Sequence, residues 1–346
     1  MPEILFIALA AVLCGANNCT EMVLFAEARI ELLRQFIPLK RGIPSHDTFS
    51  RVLGALDPVA FNAAFMRFMA AFGERARLDQ PRGQLAVDGK SLRRAYAKGC
   101  AHMPPLMVSV FACEAFMSLA QTVANEGGEA EAAIAALKLL SLKGCTVTAD
   151  ALHCHRRMTK TVRDGGGDYV IAIKGNQSKL AAEANAALDA AAGHKATRFH
   201  QTEDTAHGRH EVRRAFLVPF TQSPGKNSLV DLVAVARVES WRTVGDKTSH
   251  QVRCYALSRK MSAQQLLQTV RRHWDIENQL HWQLDVLLAE DLARNRKNNA
   301  PANLAILRRL VLNILRAEPQ KIPLNHKRLK ARWNDQDLLR LITHVR

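Results

Sequence analysis

The chain has 346 residues, 48% of them hydrophobic and 23% charged, with a formal net charge of +16. That length and balance exclude a disordered chain and leave room for two or three structural units, each with a core of its own. So large a basic excess concerns partners rather than fold, and it points to polyanions.

In chain order, Ile4 to Ala16 is an apolar run resembling a secretory signal. No Lys or Arg precedes it, it is too short to cross a bilayer, and Leu13 before Cys14 spoils a lipoprotein cleavage site, so a buried helix is expected. A turn at Gly15–Asn18 leads to a second helix with Met22, Leu24, Phe25, Ala28, Leu32, Leu33 and Phe36 on one stripe. Ser45-His46-Asp47-Thr48 offers a cap for a third helix, and Asp57-Pro58 opens a fourth with Phe61, Phe65, Phe68 and Phe72 inward. Residues 1–78 thus read as a helical N-terminal unit, closed by the Pro81-Arg82-Gly83 turn.

The pattern then changes. Leu85–Asp88, Leu106–Ala112 and Phe116–Ala124 read as strands. They are followed by an Ala-rich helix from Glu129 to Leu140, a strand Cys145–Asp150, a helix from about Cys154 to Arg163, a strand Tyr169–Lys174 and a helix over 178–192. The order β-β-β-α-β-α-β is that of a ribonuclease H-like α/β core. Residues 196–260 alternate in strand fashion (211–218, 229–238, 251–258) and read as a β-rich insertion. Helix returns near Ser262 and runs to about Glu290, so 261–300 would rejoin the core after its first part, 79–195. The last segment, 301–346, is helical and basic: thirteen Lys/Arg against three Asp/Glu from residue 292 onward, which suggests a phosphate-facing tail.

Two aspartates, Asp88 and Asp150, each end a short apolar run, where an open sheet places ligands. An Asp can end a strand for local reasons alone, and that alternative stands for either residue singly; the pair within this strand order favours a site. Glu277 lies on a helical face with His281 and Asp285, beside an apolar stripe of Ile276, Leu280, Leu284 and Leu287 that is expected to hold its carboxylate towards the core. Converging carboxylates need counter-charge, and hard cations such as Mg²⁺ or Mn²⁺ want oxygen ligands; two such ions make a phosphoryl-transfer site. Gly89-Lys90-Ser91 fails as a phosphate-binding loop because Gly83 stands one residue too far away. Glu277 and His281 lack the further His/Cys pair that zinc would need, and the seven scattered cysteines contain no Cys-x-x-Cys, which suits reduced thiols. Candidate nucleic-acid contacts are Lys90, Lys174, Asn176, Gln177, His207, Arg209, His273 and His281, and Trp241, Trp274 and Trp282 are candidates for base stacking or for core packing.

These stretches together resemble the DDE transposases of bacterial insertion sequences, in particular the H-repeat-associated (ISAs-type) group. The likeness covers nearly the whole chain, through Ile43-Pro44-Ser45-His46-Asp47-Thr48-Phe49, Val87-Asp88-Gly89-Lys90, Thr148-Ala149-Asp150-Ala151, Lys174-Gly175-Asn176-Gln177, His207-Gly208-Arg209 and His273-Trp274 to Leu284-Asp285-Val286. The resemblance implies a ribonuclease H-like domain with a β-rich insertion, and Asp88, Asp150 and Glu277 as its metal-binding catalytic triad. It also implies two divalent ions, double-stranded DNA as partner, a dimer or larger assembly on DNA, and a cytoplasmic, nucleoid-associated location without a membrane. The reaction would be hydrolysis at element ends, then attack of a 3′-hydroxyl on target DNA. The chain departs from the pattern of broader relatives at Val270, His273 and Leu284, which take the Tyr, Arg and Lys places around the third acid, and at His155, where Gln usually stands. It begins at Met1-Pro2-Glu3, where relatives often have an upstream segment, which points to a shortened N-terminus. An active transposase is the first expectation, and an inactive DNA-binding remnant is the alternative.

Overall fold

The computed structural model describes residues 1–75, 83–95, 104–124, 128–194, 198–206 and 208–343. The chain opens with helices α1 (Pro2–Leu13), α2 (Cys19–Ala28), α3 (Ile30–Arg34), α4 (His46–Ala55) and α5 (Pro58–Arg75). The apolar run of α1 is buried from Ile7 to Leu13, as the sequence suggests. Local chemistry sets the starts: Asn18 caps α2 through the Glu21 N–H, and Ser45 caps α4 through the Thr48 N–H.

Strands β1 (Gly83–Ser91), β2 (Leu106–Ala112), β3 (Met117–Ala124), β4 (Cys145–Ala149), β5 (Asp168–Ile173), β6 (His200–Ala206), β7 (Arg209–Pro219), β8 (Ala234–Val244) and β9 (Lys247–Leu257) follow. Among the described residues they form one nine-stranded sheet in the order β3-β2-β1-β4-β5-β9-β8-β7-β6. β1, β4 and β5 run parallel, while β2, β3 and the four later strands pair antiparallel. The β-rich stretch therefore adds its strands to the central sheet through β9 against β5, Val170 opposite Leu257.

Strand boundaries differ from expectation at several places, and β1 in particular does not end at Asp88 but continues to Ser91 against β2. Residues 229–233 are not extended: Asp231 takes a left-handed φ of 52°, and the Tyr169 hydroxyl donates to the Val230 carbonyl, so β8 begins only at Ala234. β6 falls within the stretch read as β-rich but is not among its named strands, because His-Gln-Thr-Glu-Asp-Thr-Ala shows no apolar alternation; it is an edge strand formed by pairing with β7.

Alternation along β1 divides the core. Leu85 and Val87 face α6 (Gly128–Leu137), α7 (Arg156–Asp164) and α8 (Ser178–Ala192). Ala86, with Phe111 of β2, faces a cluster that joins α1, α2 and α4 to the C-terminal helices α11 (Ala300–Ala317), α12 (Leu324–Trp333) and α13 (Asp335–Thr343). Chain start and chain end thus share one core. Leu266 and Leu267 of α9 (Ala263–His273) seat that helix on Val170, Tyr255 and Leu257. The cysteines among the described residues are buried, and no single described helix is long and apolar enough to cross a membrane.

Candidate active site

The parallel pairing of β1 with β4 ends at Val87 opposite Ala149, so Asp88 and Asp150 follow side by side, Asp150 just past the end of β4 and Asp88 within β1, which runs on to Ser91 against β2. Asp150 accepts a hydrogen bond from the Leu152 N–H at 2.9 Å and caps the short turn Ala151–His153. α9 starts with a Ser262/Gln265 capping box and docks over β1 and β4. The Gln84 amide donates to Thr148 Oγ1 and the Thr269 carbonyl, and His273 Nδ1 lies 3.0 Å from Thr148 Oγ1. Beyond α9, Ile276–His281 is a π-helical segment, followed by α10 (Trp282–Val286). The Trp282 N–H reaches back five residues to the Glu277 carbonyl, a widened turn found mostly at functional sites.

These elements enclose a cleft of about 240 Å³ lined by Asp88, Thr148, Asp150, Lys174, Arg253, His273, Trp274 and Glu277, among others. The three acids foreseen from the sequence therefore share one cleft. Glu277 is exposed there rather than held towards the core, although burial still raises its pKa, with Arg253 opposing. Asp88 is pushed up to about 7, by burial first and then by Glu277, Glu129 and Asp150, against a hydrogen bond from the Gly89 backbone. Like charges gathered in a half-buried space produce this shift.

His281 lies with Nδ1 3.5 Å from Asp88 Oδ2; burial, with Arg309 and Lys90 nearby, holds it down to about 3. His273 is held down to about 4, by burial first, and then by His153 and Arg253 against Asp150. An unfolded histidine titrates near 6.5, so the unfolded chain takes up the proton first. Stability from neutral His273 is full above about pH 6.5 and is lost as the pH falls towards 4. The difference in melting temperature between the parent and His273→Asn is expected to shrink over that interval; a constant difference would show that His273 does not titrate this way.

The other candidates divide. Lys174 and Asn176 are exposed just past β5, Lys174 on the cleft itself, and the Asn176 amide donates to the Ala151 carbonyl. Gln177 is half-buried beside them. Arg209 is exposed at the far tip of the β6–β7 hairpin, well outside the cleft, and His207 lies outside the described residues. Lys90 is 7% exposed, with Nζ 2.9 Å from both Asp285 and Asp291, so it ties β1 to the segment after the π-helix. Lys90→Met is expected to destabilise the fold by about 3 kcal/mol, the scale for breaking a buried ion pair, and, if the cleft takes the DNA that the resemblance implies, to leave the salt dependence of that binding unchanged. Lys174→Ala should leave stability alone and make that dependence shallower. Salt titrations and urea melts of the two variants check the contrast.

Sequence reasoning missed Arg253, whose guanidinium lies 5.1 Å from the Trp274 ring centre on the cleft. In a chain this rich in Arg, only the β9–β5 pairing distinguishes it. The donor set here is all carboxylate oxygen, which fits a hard divalent ion. Among the described residues no three His, Cys, Asp or Glu side chains converge to ion-binding distance.

The cleft is thus lined by acids from β1, the end of β4 and the π-helical segment, with Lys174 and Arg253 at its rim. The comparisons give the family. Residues 79–314 match the family described as "Transposase DDE domain", and residues 1–69 match "DDE_Tnp_1-associated". "Putative transposase YncI" of Escherichia coli O157:H7 is 31% identical over 91% of this chain and 82% of its own length. "H repeat-associated putative transposase YhhI" of E. coli K12 is 29% identical over 91% and 84%. A Xanthobacter autotrophicus protein described only as lying in the dhlA 3′ region is 36% identical over 75% and 87%. The chain belongs to the bacterial DDE transposase family.

Proposed function

We propose that this protein is a DNA transposase that binds the ends of its own element, cleaves there with the help of divalent metal, and transfers the cut strand to target DNA. The observation that carries the proposal is the meeting, in one basic-rimmed cleft, of three carboxylates far apart in sequence: Asp88, Asp150 and Glu277. The strand order β3-β2-β1-β4-β5 supports a ribonuclease H-like core over 79–195 and 261–300, with 196–260 as insertion, 1–78 as helical N-terminal domain and 301–346 as C-terminal segment.

In this reading Asp88, Asp150 and Glu277 hold two Mg²⁺ or Mn²⁺ ions, which when bound supply charge to an attacking oxygen and to the leaving one. The protein's own groups do the rest. Lys174 and Arg253 draw the phosphate backbone to the cleft, and a neutral His273 offers its ring to Thr148 and not a competing cation to the acids. Buried Ile276 and Leu280 fix the π-helical segment, so that Glu277 projects over the strand ends. Joining two DNA ends requires at least a dimer on DNA, and action on a bacterial chromosome implies the cytoplasm.

The test is incubation with Mn²⁺ and a labelled duplex carrying the element's end. Cleavage at that end is the expected result. Binding with no cleavage would instead favour the inactive remnant.

A further inference from the structure

Asp88 is crowded by a carboxylate that the three-acid reading leaves out. Glu129, in the first turn of α6, comes up against Gly89, and a Cβ at that glycine would stand 2.6 Å from Glu129 Oε1 and 2.8 Å from its carboxyl carbon. Gly89 is not among the positive-φ residues, so backbone conformation does not call for glycine there. A side chain there would push the Glu129 carboxylate aside. Glu131, in the same helical turn, shows the ordinary fate of such a residue: it lies at the surface and pairs with Arg157.

A second observation lies beneath. His153 is 1% exposed, and neither ring nitrogen has a hydrogen-bond partner. Its Nε2 sits 3.7 Å from Glu129 Oε1 and 4.0 Å from Asp150 Oδ1. A buried imidazole left unsatisfied between two carboxylates is costly, and it fits a site that small side-chain movements complete when the acids close on a cation.

We propose that Glu129 is a fourth acid of the site, an oxygen ligand for the divalent ion beside Asp88 and Asp150, and that His153 is the positioning residue between Glu129 and Asp150. This rests on the metal-dependent reading above. A side chain at position 89 would displace the Glu129 carboxylate from its approach to Asp88.

The test is a Mn²⁺ titration of the full chain without DNA, read by the electron-paramagnetic signal of free Mn²⁺, for the parent and for Glu129→Gln, Glu131→Gln, Asp88→Asn and Gly89→Ala. Glu129→Gln keeps shape and removes charge, so circular dichroism should match the parent. Its half-saturating Mn²⁺ concentration is expected to rise about tenfold or more, with Gly89→Ala shifted the same way and Glu131→Gln overlying the parent. A Glu129→Gln curve that overlies the parent, while Asp88→Asn loses binding, overturns the fourth acid and leaves the triad standing. If Asp88→Asn also overlies the parent, the metal-site reading itself fails, and the fourth acid with it.

Discussion

Glu277→Gln is expected to lower end cleavage by on the order of 10³-fold or more, the scale for removing a preorganised charge from a reacting centre, while DNA binding survives. The substitution is isosteric and the residue is exposed, so neither packing nor folding should suffer. The basic groups that would hold DNA, Lys174 and Arg253, remain in place. Asp150→Ala should behave alike in cleavage, with a smaller stability loss from the Asp150 cap on the Leu152 N–H. Asp88→Ala differs in one respect: it relieves the crowding that pushes this carboxyl to about 7, so the metal-free protein should become no less stable even as cleavage disappears. Electrophoretic mobility shift beside a cleavage assay separates the two properties. Retained cleavage in any of the three variants removes that residue from the site.

The parts of this arrangement that were legible in sequence are those set by local pattern. The apolar run before Asp150 gave the end of β4, the run before Asp88 gave a strand that continues to Ser91, and the Ser45 cap and the start of α9 at Ser262 were readable from side-chain chemistry. What could not be read depends on partners distant in the chain. The π-helical turn at Ile276–His281 has no signal in a 3.6-residue period, yet it sets how Glu277 meets the cleft. β6 is a strand only because β7 lies beside it. Charge misled most. Much of the basic C-terminal stretch serves the fold: Arg308 and Arg309 are 3% and 0% exposed, Lys327 donates to the Leu315 carbonyl, and Arg328 donates to the Leu287 carbonyl. Composition counts such residues as available to phosphate; burial withdraws them. Lys90 beside Asp88 is the same error on a smaller scale, since its ammonium is taken up by Asp285 and Asp291.

Arg309→Met is expected to destabilise the protein by about 3–5 kcal/mol, because it leaves Glu290 buried and unpaired. The pair is fully enclosed, with both side chains at 0% exposure and 3.1 Å between Arg309 Nη1 and Glu290 Oε1. The same guanidinium donates to Ser109 Oγ and to the Ala305 carbonyl. Ser109 stands opposite Asp88 in the β1–β2 register, and Glu290 follows α10 shortly after Glu277. Arg309 therefore joins α11, the central sheet and the segment bearing the third acid at one point. Because the cost arises from the stranded partner, the double variant Arg309→Met/Glu290→Leu should recover most of the loss: two apolar groups need no desolvation of charge. Urea unfolding of the parent, the single variants and the double variant gives the coupling directly. A double variant as unstable as Arg309→Met alone would show that the guanidinium acts through Ser109 and the helix carbonyl, and not through its ion pair. Where the double variant does recover stability, its cleavage rate decides a further point. Full activity means that the pair only holds the elements together, whereas stable but slow protein means that the buried charge pair also fixes where Asp88 and Glu277 stand relative to each other.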